Sequence, residues 1–257
     1  MHETTVALHG QQVPLFLCSE LALPGDTLDK VAHCKGFRDW VARTDAQKVY
    51  TVEDVEVQHV DFFGPHVGTI KLKVSVKVGM GPTTTSIFEL KGGNAGVLAV
   101  LDHQGRQYTV LSMQPRVPIA NFSLLEIPIG LIDSSGKFAG KAAQEFREEL
   151  DLVLTKENLV DMTTLAYNGK FSGVFQSPGH TDVHNALYLF RDSVTTAQLA
   201  SFKERTEEEE GDIIDLKLVP LKAVWKATSD AKTLAAVALF SALQAEGKLP
   251  ESTVSPS

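Results

Sequence analysis

The sequence predicts an α/β protein whose N-terminal part is rich in β-strands, and three observations support that class. Apolar and polar residues alternate from Ile70 to Val78, which is the period of a half-buried strand. The segment SDAKTLAAVALFSALQAEG, ending at Gly247, has an Asp/Ser start and the pattern of an amphipathic helix. With 257 residues, 43% of them apolar and 22% charged, the chain can bury one large core or two modest ones.

The N-terminal third is predicted to contain one helix and two strands. Thr27 caps a helix over LDKVAHCKGFRDWVAR, in which Gly36 is the weak position and the apolar stripe is broken. The strands follow at VEDVEVQHV and GTIKLKVSVKVG, and the lysines of the second strand are expected on a solvated face.

Two turn-rich stretches, Gly81–Ser86 and Lys91–Asn94, place a domain boundary after residue 92. We therefore expect an N-terminal domain at 1–92, a second domain at 93–250 and a flexible tail at 251–257. In the second domain the sequence predicts a hairpin around DHQGR, strands at ALYLFRD and IIDLKLVP, and a helix near residues 196–205.

Composition excludes several functional classes. A formal charge of −8 argues against general nucleic-acid binding, which needs clustered Lys and Arg. No run of 18 apolar residues predicts a membrane span, and MHETTVALHG has neither the basic nor the apolar region of a signal peptide. The two cysteines, Cys18 and Cys34, are too few for a disulfide framework. The sequence thus predicts a cytoplasmic protein with free thiols.

Three glutamates stand close together in one predicted helix. Glu145, Glu148 and Glu149 occupy positions i, i+3 and i+4, so they project from one side. Like charges at this spacing repel by roughly a few tenths of a kcal/mol per pair. A solvated acidic face is one interpretation. A site for a divalent cation is the other, because Mg²⁺ takes carboxylate oxygens and cancels the repulsion.

The stretch Gly130–Leu152 resembles the Nudix box, in which a glycine is followed at fixed spacing by Arg–Glu–apolar–any–Glu–Glu–any–Gly–apolar. Glu145, Glu148 and Glu149 match the glutamates of that box. The resemblance implies that they bind Mg²⁺ (or Mn²⁺) ions that bridge a substrate diphosphate, which makes Glu148 and Glu149 catalytic as well. It also implies that the backbone carbonyl of Ile129 adds a metal ligand.

Flanking motifs extend the resemblance over most of the chain. EIPIGLID, QPRVP and SPGHTD are similar to the lead-in, strand end and loop of nucleotide-sugar diphosphatases, including the plant-type ADP-sugar/UDP-sugar branch. By this resemblance Arg116 contacts the diphosphate or the terminal sugar, and Glu126 contacts the substrate or an additional metal. Asp182, the acidic residue that follows the Ser–Pro–Gly loop, is a catalytic candidate.

The resemblance implies a Nudix α/β/α sandwich with a mixed sheet, preceded by the β-rich domain, through which a homodimer forms. It implies that water attacks the diphosphate of a nucleoside diphosphate sugar or ADP-ribose, giving a nucleoside monophosphate and a sugar phosphate. A carboxylate of the TEEEEGD loop (Glu209, Glu210 or Asp212, with Glu210 preferred) would accept the proton. No nucleic-acid or membrane partner is expected.

The box departs from the family pattern at several positions. Gly136 stands at the mid-loop glutamate, and Gln144 replaces the arginine that orients a metal-binding glutamate, a supporting role whose loss costs about 10–100-fold in activity. Asp151 replaces the closing glycine, and Val183 and His184 stand where acidic residues are usual. These departures leave an alternative open, a catalytically weak or silent Nudix-fold protein that binds a nucleotide or a protein partner.

Overall fold

The computed structural model describes residues 3–19, 23–132, 138–139, 154–155, 157–200 and 215–250. The chain divides into two compact units. The first unit comprises Met1–Gly92 and Ser177–Val183, and the second comprises Gly93–Gln176 and His184–Ser257. The tail at 251–257 lies outside the described residues.

Within the described residues, the first unit is a five-stranded sheet with two helices. Its strands are β1 Glu3–Leu8, β2 Gln11–Leu17, β3 Tyr50–Phe63, β4 His66–Val78 and β5 Thr83–Leu90, and its helices are α1 Thr27–His33 and α2 Lys35–Asp45. The strands lie in chain order across the sheet. β2 and β3 are parallel and the other neighbours are antiparallel, so this sheet is mixed.

The alternation in β4 separates a core face from a polar face, as the sequence predicts. Ile70, Leu72 and Val74 are at most 2% exposed and pack in the core of the first unit. Lys73 lies on the other face opposite Glu56 of β3, and its ammonium is 2.8 Å from the Glu56 carboxylate. A period-two pattern therefore fixes which face of this strand is buried.

The single N-terminal helix predicted from the sequence is wrong, because the segment forms two helices that meet at Cys34. Cys34 is extended, with φ −70° and ψ 149°, so the first helix ends there. Val31 and Phe37 are both buried but stand six residues apart, which does not fit one continuous helical stripe. Two short helices allow both side chains to reach the core.

The turn predicted over Gly81–Ser86 is shorter in the structure. Gly79 has a positive φ of 53° in the turn, but β5 begins at Thr83, which pairs with Lys77 of β4. The three threonines that follow Pro82 are β-branched and favour an extended strand over a turn.

The second unit is built on a nine-stranded sheet within the described residues. Its strands are β6 Gly93–His103, β7 Arg106–Arg116, β8 Asn121–Glu126, β9 Ile129–Ile132, β10 Phe138–Ala139, β11 Val160–Asp161, β12 Val174–Phe175, β13 His184–Ser193 and β14 Asp215–Pro220. Its helices are α3 Met162–Tyr167, α4 Val224–Ala227 and α5 Ala231–Ala245, with 3₁₀ turns at Val117–Ile119 and Leu221–Ala223. Residues 196–200 are also helical.

β6 is the central strand of this sheet. It runs parallel to β13 and antiparallel to β7 and β9, so the second sheet is mixed as well. The predicted hairpin joins β6 to β7 through Gln104 and Gly105, whose φ values are 52° and 74°. These left-handed residues make the tight turn that the DHQGR sequence predicts.

Both faces of the second sheet are covered. Alternate residues of β6 enter two different cores, one with Val97, Ala99 and Leu101 and the other with Leu98 and Val100. Helix α5 contributes Phe240 to the second of these cores, and Leu199 from helical residues 196–200 joins the first. The α/β class with a mixed sheet is therefore confirmed. Among the described residues, no helix combines the length and apolarity needed to cross a bilayer.

Candidate functional site

Two neighbouring strands of the second unit end in charged side chains that meet. Arg116 is the last residue of β7 and Glu126 is the last residue of β8, and the two strands pair in antiparallel register. The Nε of Arg116 donates to Oε1 of Glu126 at 2.6 Å, and a terminal guanidinium nitrogen donates to Oε2. The guanidinium thus holds the carboxylate through two parallel hydrogen bonds, the geometry in which arginine is strongest.

The N-terminus of α5 adds a second ion pair to this cluster. The ammonium of Lys232 lies 3.2 Å from Oε2 of Glu126 and 2.6 Å from Oδ1 of Asp230. Asp230 caps the helix, because its Oδ2 accepts the backbone N–H of Thr233 at 2.9 Å and the hydroxyl of Thr233 at 2.7 Å. Two cations and two carboxylates therefore form one connected network at the end of β8.

Hydrogen bonds tie the segment that follows β8 to the same helix terminus and to β6. The N–H of Ile127 donates to the hydroxyl of Thr233 at 2.8 Å. The carbonyl of Pro128 accepts the N–H of Val97 at 3.0 Å, and the next residues begin β9 against β6. The path of the chain into the Nudix-like stretch is therefore set by β6 on one side and by α5 on the other.

The burial of the four charged groups differs in a way that matters for chemistry. The side chain of Glu126 is 2% exposed, that of Asp230 is 8%, that of Lys232 is 11%, and that of Arg116 is 38%. The hydrogen bonds from Arg116 to Glu126 raise the pKa of the guanidinium further above its ordinary range, so Arg116 is always charged. The guanidinium has five N–H groups, of which Glu126 takes two. The partly exposed remainder can bind an anion.

Asp182, the third candidate that the structure describes, belongs to the first unit, whereas Arg116 and Glu126 belong to the second. Oδ1 of Asp182 accepts the backbone N–H groups of Lys91 and Gly92 at 2.8 and 3.0 Å. Its Oδ2 is 3.6 Å from the guanidinium of Arg43, and the side chain is 13% exposed. These contacts fasten the Ser–Pro–Gly loop to the end of β5.

Of the remaining candidates, the structure describes one. Glu145, Glu148, Glu149 and Glu210 lie outside the described residues. Ile129 is half-buried at the start of β9, opposite Gly96. Within the part of the chain that the structure describes, no three His, Cys, Asp or Glu side chains are grouped to hold a metal ion.

A cavity of about 630 Å³ in the first unit contains none of the residues that the sequence singles out. Strand β1 lines one side, and apolar side chains of α1 and α2, including Leu28, Phe37 and Val41, line the other. The charged residues that line it are of both signs, and they do not form the cluster of cations that an anionic substrate would need. We therefore place the candidate site at the Arg116–Glu126 pair.

The sequence did not identify Lys232, Asp230 or Thr233 as parts of this cluster. One feature could have identified the lysine. A cation in the first turn of a helix is opposed by the helix dipole, so Lys232 requires a carboxylate partner nearby. Nothing in the sequence shows that Glu126, far away along the chain, is that partner.

No family model matches the chain. It is 32% identical over 231 residues to Nudix hydrolase 14, chloroplastic, of Arabidopsis thaliana, with 86% of this chain and 74% of the relative covered. A second relative, an uncharacterized Nudix hydrolase of Schizosaccharomyces pombe, is 38% identical over 93 residues, covering 36% of this chain and 40% of the relative. A solved structure described as an ADP compounds hydrolase superposes with a TM-score of 0.51 at 14% identity, covering 79% of this chain and 98% of that one.

Proposed function

The chain belongs to the Nudix hydrolase family, and from this premise we propose that it hydrolyses the diphosphate linkage of a nucleoside diphosphate sugar or of ADP-ribose. The products are a nucleoside monophosphate and a sugar phosphate. Support for an adenosine-containing substrate comes from the fold neighbour described as an ADP compounds hydrolase. The EIPIGLID, QPRVP and SPGHTD motifs support the wider class of nucleotide sugars.

The observation that carries this proposal is the way in which Arg116 is held. A buried carboxylate fixes the guanidinium through two N–H groups and leaves the others available beside a partly exposed surface. Guanidinium N–H groups match the spacing of phosphate oxygens, so a fixed Arg116 can bind and orient the diphosphate. Glu126 then contributes by orienting Arg116, since its own oxygens are already engaged.

The donor set of the Nudix-like stretch fits a divalent cation. Hydrolases of this family generally use such a metal, and carboxylate oxygens are the ligands that Mg²⁺ and Mn²⁺ prefer. Glu145, Glu148 and Glu149 would hold it, together with the carbonyl of Ile129. A bound metal of this kind neutralises phosphate oxygens and lowers the pKa of an attacking water.

Proton removal from the attacking water needs a carboxylate outside the metal set. Glu210 in the TEEEEGD loop is our candidate, because by the family resemblance the general base often lies on a loop outside the box. Asp182 is a weaker candidate for this role. Its two amide hydrogen bonds favour a structural function, since they stabilise the carboxylate as an acceptor in its present position.

Association and location are also part of this proposal. A homodimer formed through residues 1–92 follows from the family resemblance, and size-exclusion chromatography with light scattering tests it. We also propose a cytoplasmic location. The Arabidopsis relative is named as chloroplastic, so imaging of the full chain with a C-terminal fluorescent tag is the appropriate test.

Product formation tests the catalytic proposal. Purified protein is incubated with ADP-ribose, ADP-glucose, UDP-glucose and GDP-mannose in the presence of Mg²⁺ or Mn²⁺, and nucleotides are resolved by ion exchange. We expect AMP, UMP or GMP from at least one substrate, and loss of that activity in Glu149→Gln. Glu246→Gln, at the exposed residue that follows α5, serves as the control and should retain activity.

Two results would contradict the proposal. Equal turnover by Glu149→Gln and the wild type would remove the metal assignment. Thermal stabilisation by one of the nucleotides, with no product under any condition, would instead indicate a protein that binds the ligand without hydrolysing it.

A further inference from the structure

We propose that Lys232 is a positioning residue for Arg116, acting through Glu126. This inference rests on the proposed function, because it assigns Arg116 to the diphosphate of the substrate. Lys232 does not itself need to touch the substrate. It holds the carboxylate of Glu126, which in turn orients the guanidinium of Arg116.

Specific contacts stabilise the charge of Lys232 at a position that would otherwise disfavour a cation. Its side chain is 11% exposed and lies in the first turn of α5, where the positive end of the helix dipole disfavours a cation. Desolvation disfavours it further. Two carboxylates compensate, Asp230 at 2.6 Å and Glu126 at 3.2 Å.

The carboxylate of Asp230, which Lys232 contacts, is itself held in place by Thr233. Asp230 is held by the N–H and the hydroxyl of Thr233, so its Oδ1 presents a stationary acceptor to the ammonium. The hydroxyl of Thr233 also accepts the N–H of Ile127, the residue after Glu126. Lys232 therefore connects a rigid helix terminus to the Glu126 side chain.

This connection matters when substrate binds. A diphosphate that binds the N–H groups left free by Glu126 also pulls the guanidinium of Arg116 away from Glu126, because both groups are anions that attract the same cation. With Arg116 as its sole cationic partner, Glu126 would follow the guanidinium or lose its pairing. Lys232 continues to hold Oε2, so Glu126 stays in place and Arg116 keeps its orientation towards the phosphates.

The test compares Lys232→Met, Lys232→Arg and the control Lys222→Met, which changes an exposed lysine. For the substrate that the wild type hydrolyses best, we expect Lys232→Met to raise KM about tenfold while kcat changes by less than about threefold. Lys232→Arg, which keeps the charge, should restore KM to within about threefold of the wild type, and Lys222→Met should leave it unchanged.

Repeating the substitution in an Arg116→Ala variant distinguishes a positioning role of Lys232 from a direct contact between Lys232 and the substrate. In Arg116→Ala the effect of Lys232→Met on KM should disappear, because Lys232 acts through Arg116. A further tenfold rise in that background would overturn the inference, since it would show an independent contact with the substrate. If Lys232→Met is unfolded at the assay temperature, Lys232→Gln is measured in its place. Glutamine removes the charge but keeps a hydrogen-bond donor.

The failure of this inference can be told apart from failure of the proposed function. A wild type that releases a nucleoside monophosphate, with the same KM in Lys232→Met, overturns the inference alone. A wild type that releases none from any substrate overturns the proposed function and the inference with it.

Discussion

Replacing Glu126 by glutamine removes a buried negative charge and preserves the shape of the side chain. Breaking a fully buried ion pair costs roughly 3–5 kcal/mol. That figure is an upper limit here, because the side chain of Arg116 is 38% exposed and can be hydrated, and because Lys232 retains Asp230. We therefore expect Glu126→Gln to lower the free energy of unfolding of the second unit by about 2 kcal/mol.

Thermal unfolding measures this loss. For a domain of 150–250 residues, a change of about 2 kcal/mol corresponds to a drop in Tm of about 4–8 °C. Glu246→Gln is the matched control, since its exposed pair with Lys248 should contribute less than about 1 kcal/mol. A Glu126→Gln protein that melts with the wild type would refute the reasoning, because the carboxylate would then contribute no net stability in its buried position.

Three further predictions follow from contacts elsewhere in the chain. Asp182→Ala should speed hydrogen exchange of the two backbone amides that its carboxylate accepts, as measured by mass spectrometry, and unchanged exchange would contradict the role in fastening the loop. Gly173→Ala should lower Tm, because its Cβ would lie 2.6 Å from the backbone of β13, whereas Gly179→Ala meets open space and should not. The hydrogen bond from Lys73 holds the pKa of Glu56 below its ordinary value, so the pair stabilises the first unit above the ordinary glutamate pKa. That contribution is lost as pH falls through the lowered pKa. Denaturant titrations should therefore show Lys73→Met to be less stable than the wild type at neutral pH and equal to it in strong acid.

Of the five strands in the first unit, the sequence predicts β3 and β4 and misses β1, β2 and β5. The alternation in β4 identifies its buried face because the side-chain period of a strand is fixed at two. The break at Cys34 is harder to predict, since each half of the segment has helical spacing and only packing against the sheet separates them. The strand beginning at Thr83 is missed for a related reason, because threonine is common in both turns and strands.

The residues of the candidate site also differ in whether the sequence alone can identify them. Arg116 and Glu126 stand in motifs that resemble those of a known family, so a sequence can identify them. The residues of α5 that support them cannot be identified in this way. Thr233 and Ile127 are hydrogen-bonded across 106 residues of chain, and such proximity depends on how the whole sheet is assembled. A helix start with an Asp cap is predictable, but its neighbour in space is not.

Identifying which bond of the substrate is broken tests the proposed reaction most directly. ³¹P NMR of ADP-ribose, or of the nucleotide sugar that is hydrolysed fastest, follows the diphosphate resonances during incubation with the protein and Mg²⁺. We expect the paired diphosphate resonances to be replaced by two monophosphate resonances in equal amounts. Appearance of inorganic phosphate, or of ADP with a free sugar, would place the cleavage at a different bond and contradict hydrolysis of the diphosphate linkage.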